Sequence, residues 1–263
     1  MNNKRTIWPS TLLLFILLAL PRATWAKSAA ILVYHRFGPA VADSMTTRTE
    51  TFEQQLAALH AEGYRILPLT EVVAGLTGEG ALPEKAVAIT VDDGHRTVYS
   101  DLLPIIKREK LPVTLFIYPS AISNANYAMT WDQIKEVQAT GVVAIGSHTY
   151  WHPNFKTEKR RLPPAEYAAF VKTQLEKSRA TLKRRLGVEA DILAWPFGIV
   201  DDDLEASARR AGYRAALAMG ERTATDRDSA LALPRYLIVD AVGVKGLMNR
   251  LHQGEAKARP AAH

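Results

Sequence analysis

The sequence predicts a single-domain α/β protein built on a parallel sheet, with a barrel favoured over an open doubly wound sheet. Six or seven strand–helix alternations follow one another without a low-complexity linker or a short repeat, the pattern of βαβ units that share one sheet. The candidate strands are short, continuous apolar runs, as strands covered on both faces are. The most reactive polar side chains stand directly after those runs. In a barrel the carboxyl ends of the strands converge on one face, where catalytic groups gather.

Taken in order, residues 29–34 are an apolar run that reads as the first strand. Residues 51–62 are an amphipathic helix stopped by Gly63, and 70–76 a short helix ended by Gly-rich sequence. Residues 86–91 read as a strand, 98–110 as a helix and 113–118 as a strand. Thr130 has the hydroxyl that caps a helix, here 131–139, with Gly141 beyond its end. A strand at 142–145 precedes a long helix of mixed charge, 164–186, closed by Gly187. Residues 192–195 are a strand, and Asp201 or Asp202 caps a helix that runs to Ala211 and closes at Gly212. The last strands are 215–218 and 236–239, followed by a helix over 243–251. The folded domain is expected to cover 27–253, with a disordered tail from 254 to 263.

The first 26 residues stand apart from this pattern. Lys4 and Arg5 precede an apolar segment over 11–20, Pro21 breaks it, and Ala23-Thr24-Trp25-Ala26 offers a small-residue cleavage site. Those are the three regions of a signal peptide, and the apolar stretch is short for a membrane span. The expected location is therefore the periplasm or the exterior, with membrane contact only through this segment if it stays uncleaved. Its removal takes away Lys4, Arg5 and Arg22 and no acid, so the formal charge falls from +6 to +3. That modest charge, with no basic run interleaved with aromatics, argues against nucleic acid as a partner. Hydrophobic residues make up 48% of the chain and cysteine is absent. The core must hold the exported protein without disulfides, and any metal must be held by histidine and carboxylate.

Two runs carry the chemistry. Thr90-Val91-Asp92-Asp93-Gly94 closes one apolar stretch, and Ser147-His148-Thr149-Tyr150-Trp151-His152-Pro153 follows another. Two adjacent carboxylates after a buried strand are costly unless something cationic pairs with them. Alone, Asp-Asp-Gly is also an ordinary strand-to-helix turn. His148 and His152 are four apart, so one helical turn would aim both rings at a single ion, although Pro153 biases His152 away from helix. One Asp and two His make a three-ligand site with an open position, and the spare Asp is a ready general base. This is the donor set of a metal-dependent hydrolase. His35 ends the first strand and is either a general acid or a histidine satisfied by backbone. Trp195-Pro196-Phe197-Gly198 is either a turn or the source of an oxyanion-binding N–H.

These motifs, in this order, resemble those of the polysaccharide deacetylases, carbohydrate esterase family 4, over nearly the whole chain after residue 26. Thr90-Val91-Asp92-Asp93-Gly94 is similar to the family's Thr-Phe-Asp-Asp-Gly, and the run from Ser147 to His152 to its His-x-x-x-His motif. The resemblance implies a distorted (β/α) barrel with about seven parallel strands. It makes Asp92 the catalytic base and Asp93, His148 and His152 the ligands of a divalent metal, zinc by donor type. It gives the Phe197 N–H to the oxyanion. The third motif departs from the family's Arg-x-Pro-Tyr, being Ala194-Trp195-Pro196-Phe197. Without that Arg, Asp92 is expected to be less tightly oriented and its pKa less depressed. The family's last motif, an apolar strand ending Leu-x-His, is matched by Val33-Tyr34-His35 at the N-terminus instead. That order resembles the circularly permuted branch acting on poly-β-1,6-N-acetylglucosamine, the biofilm exopolysaccharide, and makes His35 the general acid. The implied reaction is removal of N-acetyl groups from an N-acetylglucosamine polymer. Peptidoglycan, chitin fragments or another amide are the alternative substrates, and a non-catalytic sugar-binding module is the alternative of a different class. Trp131, Tyr150 and Trp151 are the aromatic candidates to stack on sugar rings, with core packing as the equal alternative.

Overall fold

Strands β1 (Ser28–Tyr34), β2 (Arg36–Gly38), β3 (Thr46–Arg48) and β4 (Arg65–Ile66) precede the central strand β5 (Ala86–Asp92). After it come β6 (Val113–Ile117), β7 (Val143–Ser147), β8 (Ile192–Ala194), β9 (Ala215–Leu217), β10 (Ala224–Thr225) and β11 (Tyr236–Leu237). The helices between and after them are α1 (Thr49–Ala61), α2 (Leu69–Leu76), α3 (Leu103–Glu109) and α4 (Trp131–Gln138). Helices α5 (Phe155–Arg161), α6 (Pro164–Leu186), α7 (Asp202–Arg210) and α8 (Gly243–Ala258) complete the set. This computed structural model describes residues 27–258. The expected signal segment, 1–26, lies outside the described residues. Among the described residues no helix is long and apolar enough to cross a membrane.

The main sheet runs in the order β10-β1-β5-β6-β7-β8-β9, with β4 also paired to β5 and β11 to β1. Its pairings are parallel apart from that of β1 with β10. The expected α/β alternation and seven-strand path are thus present, curled as a half-barrel. The two sides of the curl are joined by one short segment. Leu233 bridges to Leu217 of β9, and Tyr236 and Leu237 pair with Leu32 and Val33 of β1. Residues 233–237 therefore span the seam.

Alternation along the strands sorts the side chains into two sets. On β5, Val87, Ile89 and Val91 pack outward with Leu32 and Tyr34 of β1, Leu115 and Ile117 of β6, and the covering helices. Ala86 and Ala88 face inward with Ala29, Ile31, Phe116, Ile192, Ala194, Ala215 and Leu217, over the apolar side chains of α2. Small inward residues and α2 thus fill the amino-terminal end of the barrel. Continuing the inward rows to the carboxyl end gives His35 after Ile31, Asp92 after Ala88 and Thr90, Tyr118 after Phe116, and His148 after Gly146. The strand period alone brings these four residues to one mouth.

Gly146 is set by close approach. A Cβ there would collide with the Phe116 ring and lie 3.2 Å from the Ile192 carbonyl. At the outer layer, Thr130 caps α4 as expected, in a full capping box: its hydroxyl accepts from the Gln133 N–H at 3.2 Å while the Gln133 side chain accepts from the Thr130 N–H at 2.9 Å.

The elements differ from expectation in three places. The helix expected over 98–110 opens with a π-helical turn, Val98–Leu102, before α3. The β2–β3 pair, β4, β10 and α5 are additional elements. Beyond 253, where the folded domain is expected to end, α8 continues to Ala258 and Gly254 is buried; a Cβ at Gly254 would collide with the Thr223 and Tyr236 side chains. Residues 259–263 lie outside the described residues. Gly146→Ala should destabilise the protein by about 1–3 kcal/mol through overpacking in urea unfolding, and Phe116→Leu in the same chain should recover part of that loss.

Candidate active site

The inward end of β7 and the loop after it supply two imidazoles. His148 Nδ1 lies 2.7 Å from the Ala194 carbonyl. A carbonyl only accepts, so Nδ1 carries the proton and Nε2 presents a free lone pair. Nε2 of His148 is 3.6 Å and Nε2 of His152 3.7 Å from Oδ1 of Asp93. Asp93, His148 and His152 together offer one donor atom each, all within 4.8 Å of one another. Two imidazole nitrogens and one carboxylate oxygen, with one tautomer already fixed, are a donor set that fits a divalent first-row ion.

The loop geometry corrects one expectation. His148 and His152 do not share a helical turn. Residues 148–153 form a non-helical loop, with Thr149 at φ 63° and His152 at φ 62°. Pro153 cannot extend a helix, and the residue before a proline is pushed out of the α region. The two rings meet all the same, with centroids 4.6 Å apart. Asp93 and Gly94 are also left-handed, at φ 74° and 70°. That double reversal turns Asp93 back over the mouth, and a side chain in place of Gly94 would press on Ile117 at 2.9 Å.

The second correction concerns Asp92, which is not left loose by the altered third motif. Arg235, in the segment that spans the seam, grips it with two parallel bonds, Nη1 to Oδ1 at 2.8 Å and Nη2 to Oδ2 at 2.7 Å. Nη1 also reaches the Thr90 hydroxyl at 3.2 Å, and Nε the Ala218 carbonyl at 3.4 Å. Arg235 is 1% exposed and Asp92 3%. Burial by itself would raise the Asp92 pKa. The attraction of Arg235, then of His148, the Arg235 hydrogen bonds and the charge of His35 outweigh it and bring the carboxyl down to about 2. Its neighbour goes the other way: burial, with Asp92 adding to it, raises Asp93 despite the opposing charge of His35, Arg36 and Arg235. Burial lowers His148 to about 3 and also lowers His152. Sequence reading missed Arg235. The signal available is that it is the one charged residue in the otherwise apolar run from Ala230 to Val239.

His35 continues the inward row of β1, and its charge acts on both Asp92 and Asp93. Its Nδ1 is buried and has no hydrogen-bond partner among the described residues. Phe197 stands in a left-handed conformation, φ 57° and ψ 11°. The residue is 60% exposed, and its ring meets that of His152 edge-on at 4.6 Å. On the opposite wall Tyr118 lies 5.2 Å from the His152 ring. The Tyr118 hydroxyl is bonded to that of Tyr127 at 2.7 Å, and Tyr127 stacks on His95. His95 thus lies on the cleft wall, a place the sequence did not assign it. Of the aromatics expected to meet sugar, Trp151 is 43% exposed. Tyr150 is covered by the Lys177 ammonium at 4.0 Å and Trp131 by the Arg185 guanidinium at 5.6 Å.

A sequence profile of the polysaccharide deacetylase family matches residues 79–216, which include the Asp-Asp-Gly turn, both histidines and Phe197. The chain belongs to that family. Curated relatives include a poly-β-1,6-N-acetyl-D-glucosamine N-deacetylase of Staphylococcus aureus, 28% identical over 194 residues, 72% of this chain and 66% of the relative. The chain therefore spans just under two-thirds of that protein's length. Among solved structures, IcaB from Ammonifex degensii is 26% identical, with a TM-score of 0.74 over 86% of this chain and 97% of that one. The deacetylase PplD of Streptococcus pyogenes, solved with acetate, has the same fold: TM-score 0.75 at 23% identity, over 85% of this chain and 98% of that one.

The Arg235 grip predicts a large, separable effect. Arg235→Leu leaves a buried carboxylate unpaired and should cost about 3–5 kcal/mol in urea unfolding. Adding Asp92→Leu should recover most of it. The pKa shifts set a pH dependence for the chelator-treated protein. The unfolded chain protonates His148 near 6.5, the folded one only near 3, so stability falls as pH drops through that window. Asp92 acts lower: its contribution is complete above 3.8 and is lost as pH falls through about 2. Thermal melts from about pH 7.5 to 4.5 should show the first slope, and His148→Gln should flatten it.

Proposed function

We propose that this protein is a metal-dependent N-deacetylase of an exported N-acetylglucosamine polymer, with poly-β-1,6-N-acetylglucosamine as its substrate. The observation that carries the reading is one buried, Arg-gripped carboxylate set 3.7 Å from His148 Nε2, beside a separate Asp-His-His donor set. A binding module has use for the donor set but little for the second carboxylate. The names of the curated relatives support the polymer, and the leader-like segment over 1–26 supports export to the periplasm or beyond.

In this reading Asp93, His148 and His152 hold the ion, zinc by donor type. When bound, it supplies Lewis-acid polarisation of the amide carbonyl and lowers the pKa of water. The chain's own residues divide the remaining work. Asp92 is ionised throughout the neutral range and accepts the proton of the attacking water. Both its oxygens face Arg235, yet each keeps a second lone pair, so the grip fixes direction without using up the base. The Phe197 N–H donates to the carbonyl oxygen as charge gathers there. His35 gives a proton to the departing nitrogen as the C–N bond breaks. Acetate and a free glucosamine unit result. Exposed Phe197, Trp151 and Tyr127 offer apolar faces on which pyranose rings stack.

The test is acetate release from N-acetylglucosamine oligomers of β-1,6 and β-1,4 linkage, with and without chelator. The expected result is metal-dependent release that favours the β-1,6 linkage, reduced about 10²–10⁴-fold in Asp92→Asn and in His35→Ala. Preference for the β-1,4 oligomers would transfer the substrate to chitin-like or peptidoglycan chains. Release unaffected by Asp92→Asn would overturn the assignment of the base.

A further inference from the structure

The loop that carries both histidines is held in a costly conformation by groups that no part of the mechanism uses. Positive φ is costly for non-glycine residues, and the loop contains two, Thr149 and His152. Thr149 is β-branched, the least tolerant kind. Such backbone persists only where its surroundings over-determine it.

The surroundings are polar and buried. Strand alternation that turns His148 into the mouth turns Ser147 outward, beneath α6. There the Ser147 hydroxyl lies 2.8 Å from that of Ser178, receives the Tyr213 hydroxyl at 2.8 Å, and accepts the Thr149 N–H at 3.2 Å. Tyr213 is tied in turn to the Leu175 carbonyl at 3.1 Å. One helical turn before Ser178, Gln174 accepts the Trp151 N–H through Oε1 at 3.1 Å. The Thr149 hydroxyl accepts the His152 N–H at 3.2 Å, and the His148 N–H goes to the Ile117 carbonyl at 2.9 Å. Among the loop's amides, only that of His148 is thus held by strand-like backbone pairing. Those of Thr149, Trp151 and His152 are held by side chains, and Gln174 and Ser178 are buried on an otherwise amphipathic helix.

We propose that the buried polar row of α6, Gln174 and Ser178, together with Tyr213, sets the bite of the metal site, and that Gln174 is a positioning residue for His152. It acts through the N–H of Trp151, the residue immediately before the ligand. An apolar row on α6 would pack as well against β7 and β8 but would leave the loop free to relax to ordinary dihedrals, carrying the His152 ring away from Asp93. The proposal rests on the reading that Asp93, His148 and His152 hold a divalent ion.

The experiment is Zn²⁺ and Co²⁺ titration of the purified protein and of Gln174→Leu and Tyr213→Phe, alongside thermal melts of the metal-free forms. Tyr213→Phe removes one hydroxyl and keeps the ring, so it serves if Gln174→Leu does not fold. The expected result is a loss of Zn²⁺ affinity of about 10–100-fold in Gln174→Leu, the range seen when a ligand's supporting partner is removed, with altered Co²⁺ visible bands. Tyr213→Phe should change both in the same direction. Unchanged affinity and unchanged Co²⁺ bands in both variants, whatever their melting temperatures, would show the row to be ordinary core and overturn the proposal. A parent protein that binds neither ion would overturn the metal reading itself. No substrate enters the measurement, so the identity of the polymer does not affect the result.

Discussion

The bidentate pair between Arg235 and Asp92 is the interaction on which the rest of the site depends. It joins the central strand β5 to the segment that spans the seam between β9 and β1. One contact therefore fixes the position of the carboxylate and the closure of the curl together. A buried ion pair is weak evidence for stability, because desolvation offsets much of its attraction. Its value here lies in direction: two parallel bonds on a planar guanidinium leave the carboxylate one orientation.

Around that pair, two neighbouring carboxylates are driven apart in acidity by their surroundings. Asp92 is pulled down by a cation in contact, while Asp93 is raised by burial and by the charge of Asp92. Adjacent acids with opposed shifts are suited to different tasks, one to remain a base and the other to share its charge with a cation. The backbone reversal at Asp93 and Gly94 makes the division possible, since consecutive residues in an extended strand would point to opposite faces.

Strand alternation does most of the assembly. His35, Asp92, Tyr118 and His148 are each the next inward residue after the apolar filling of their strand. No loop has to search for the mouth to bring them together. Asp93, His152 and Phe197 are the members that need irregular backbone, and all three sit at positive φ. The cleft thus combines a floor made by strands with three contributions from left-handed turns, of which only Phe197 is exposed.

By itself, the sequence determined the α/β class, the polar residues at the strand ends, and the Asp-His-His group that could hold an ion, because period and spacing are local properties. It also contained the capping box at Thr130 and the proline that keeps His152 out of a helix. Only the tertiary structure decided that Arg235 grips Asp92, where the third motif has Ala194 in place of an arginine. Arg235 lies far from Asp92 in sequence, and only the closing of the curl brings the two together. The left-handed loop after β7 was equally hidden. Its conformation is enforced by Gln174, Ser178 and Tyr213 on other elements, and nothing within the seven residues from Ser147 to Pro153 states where those partners stand.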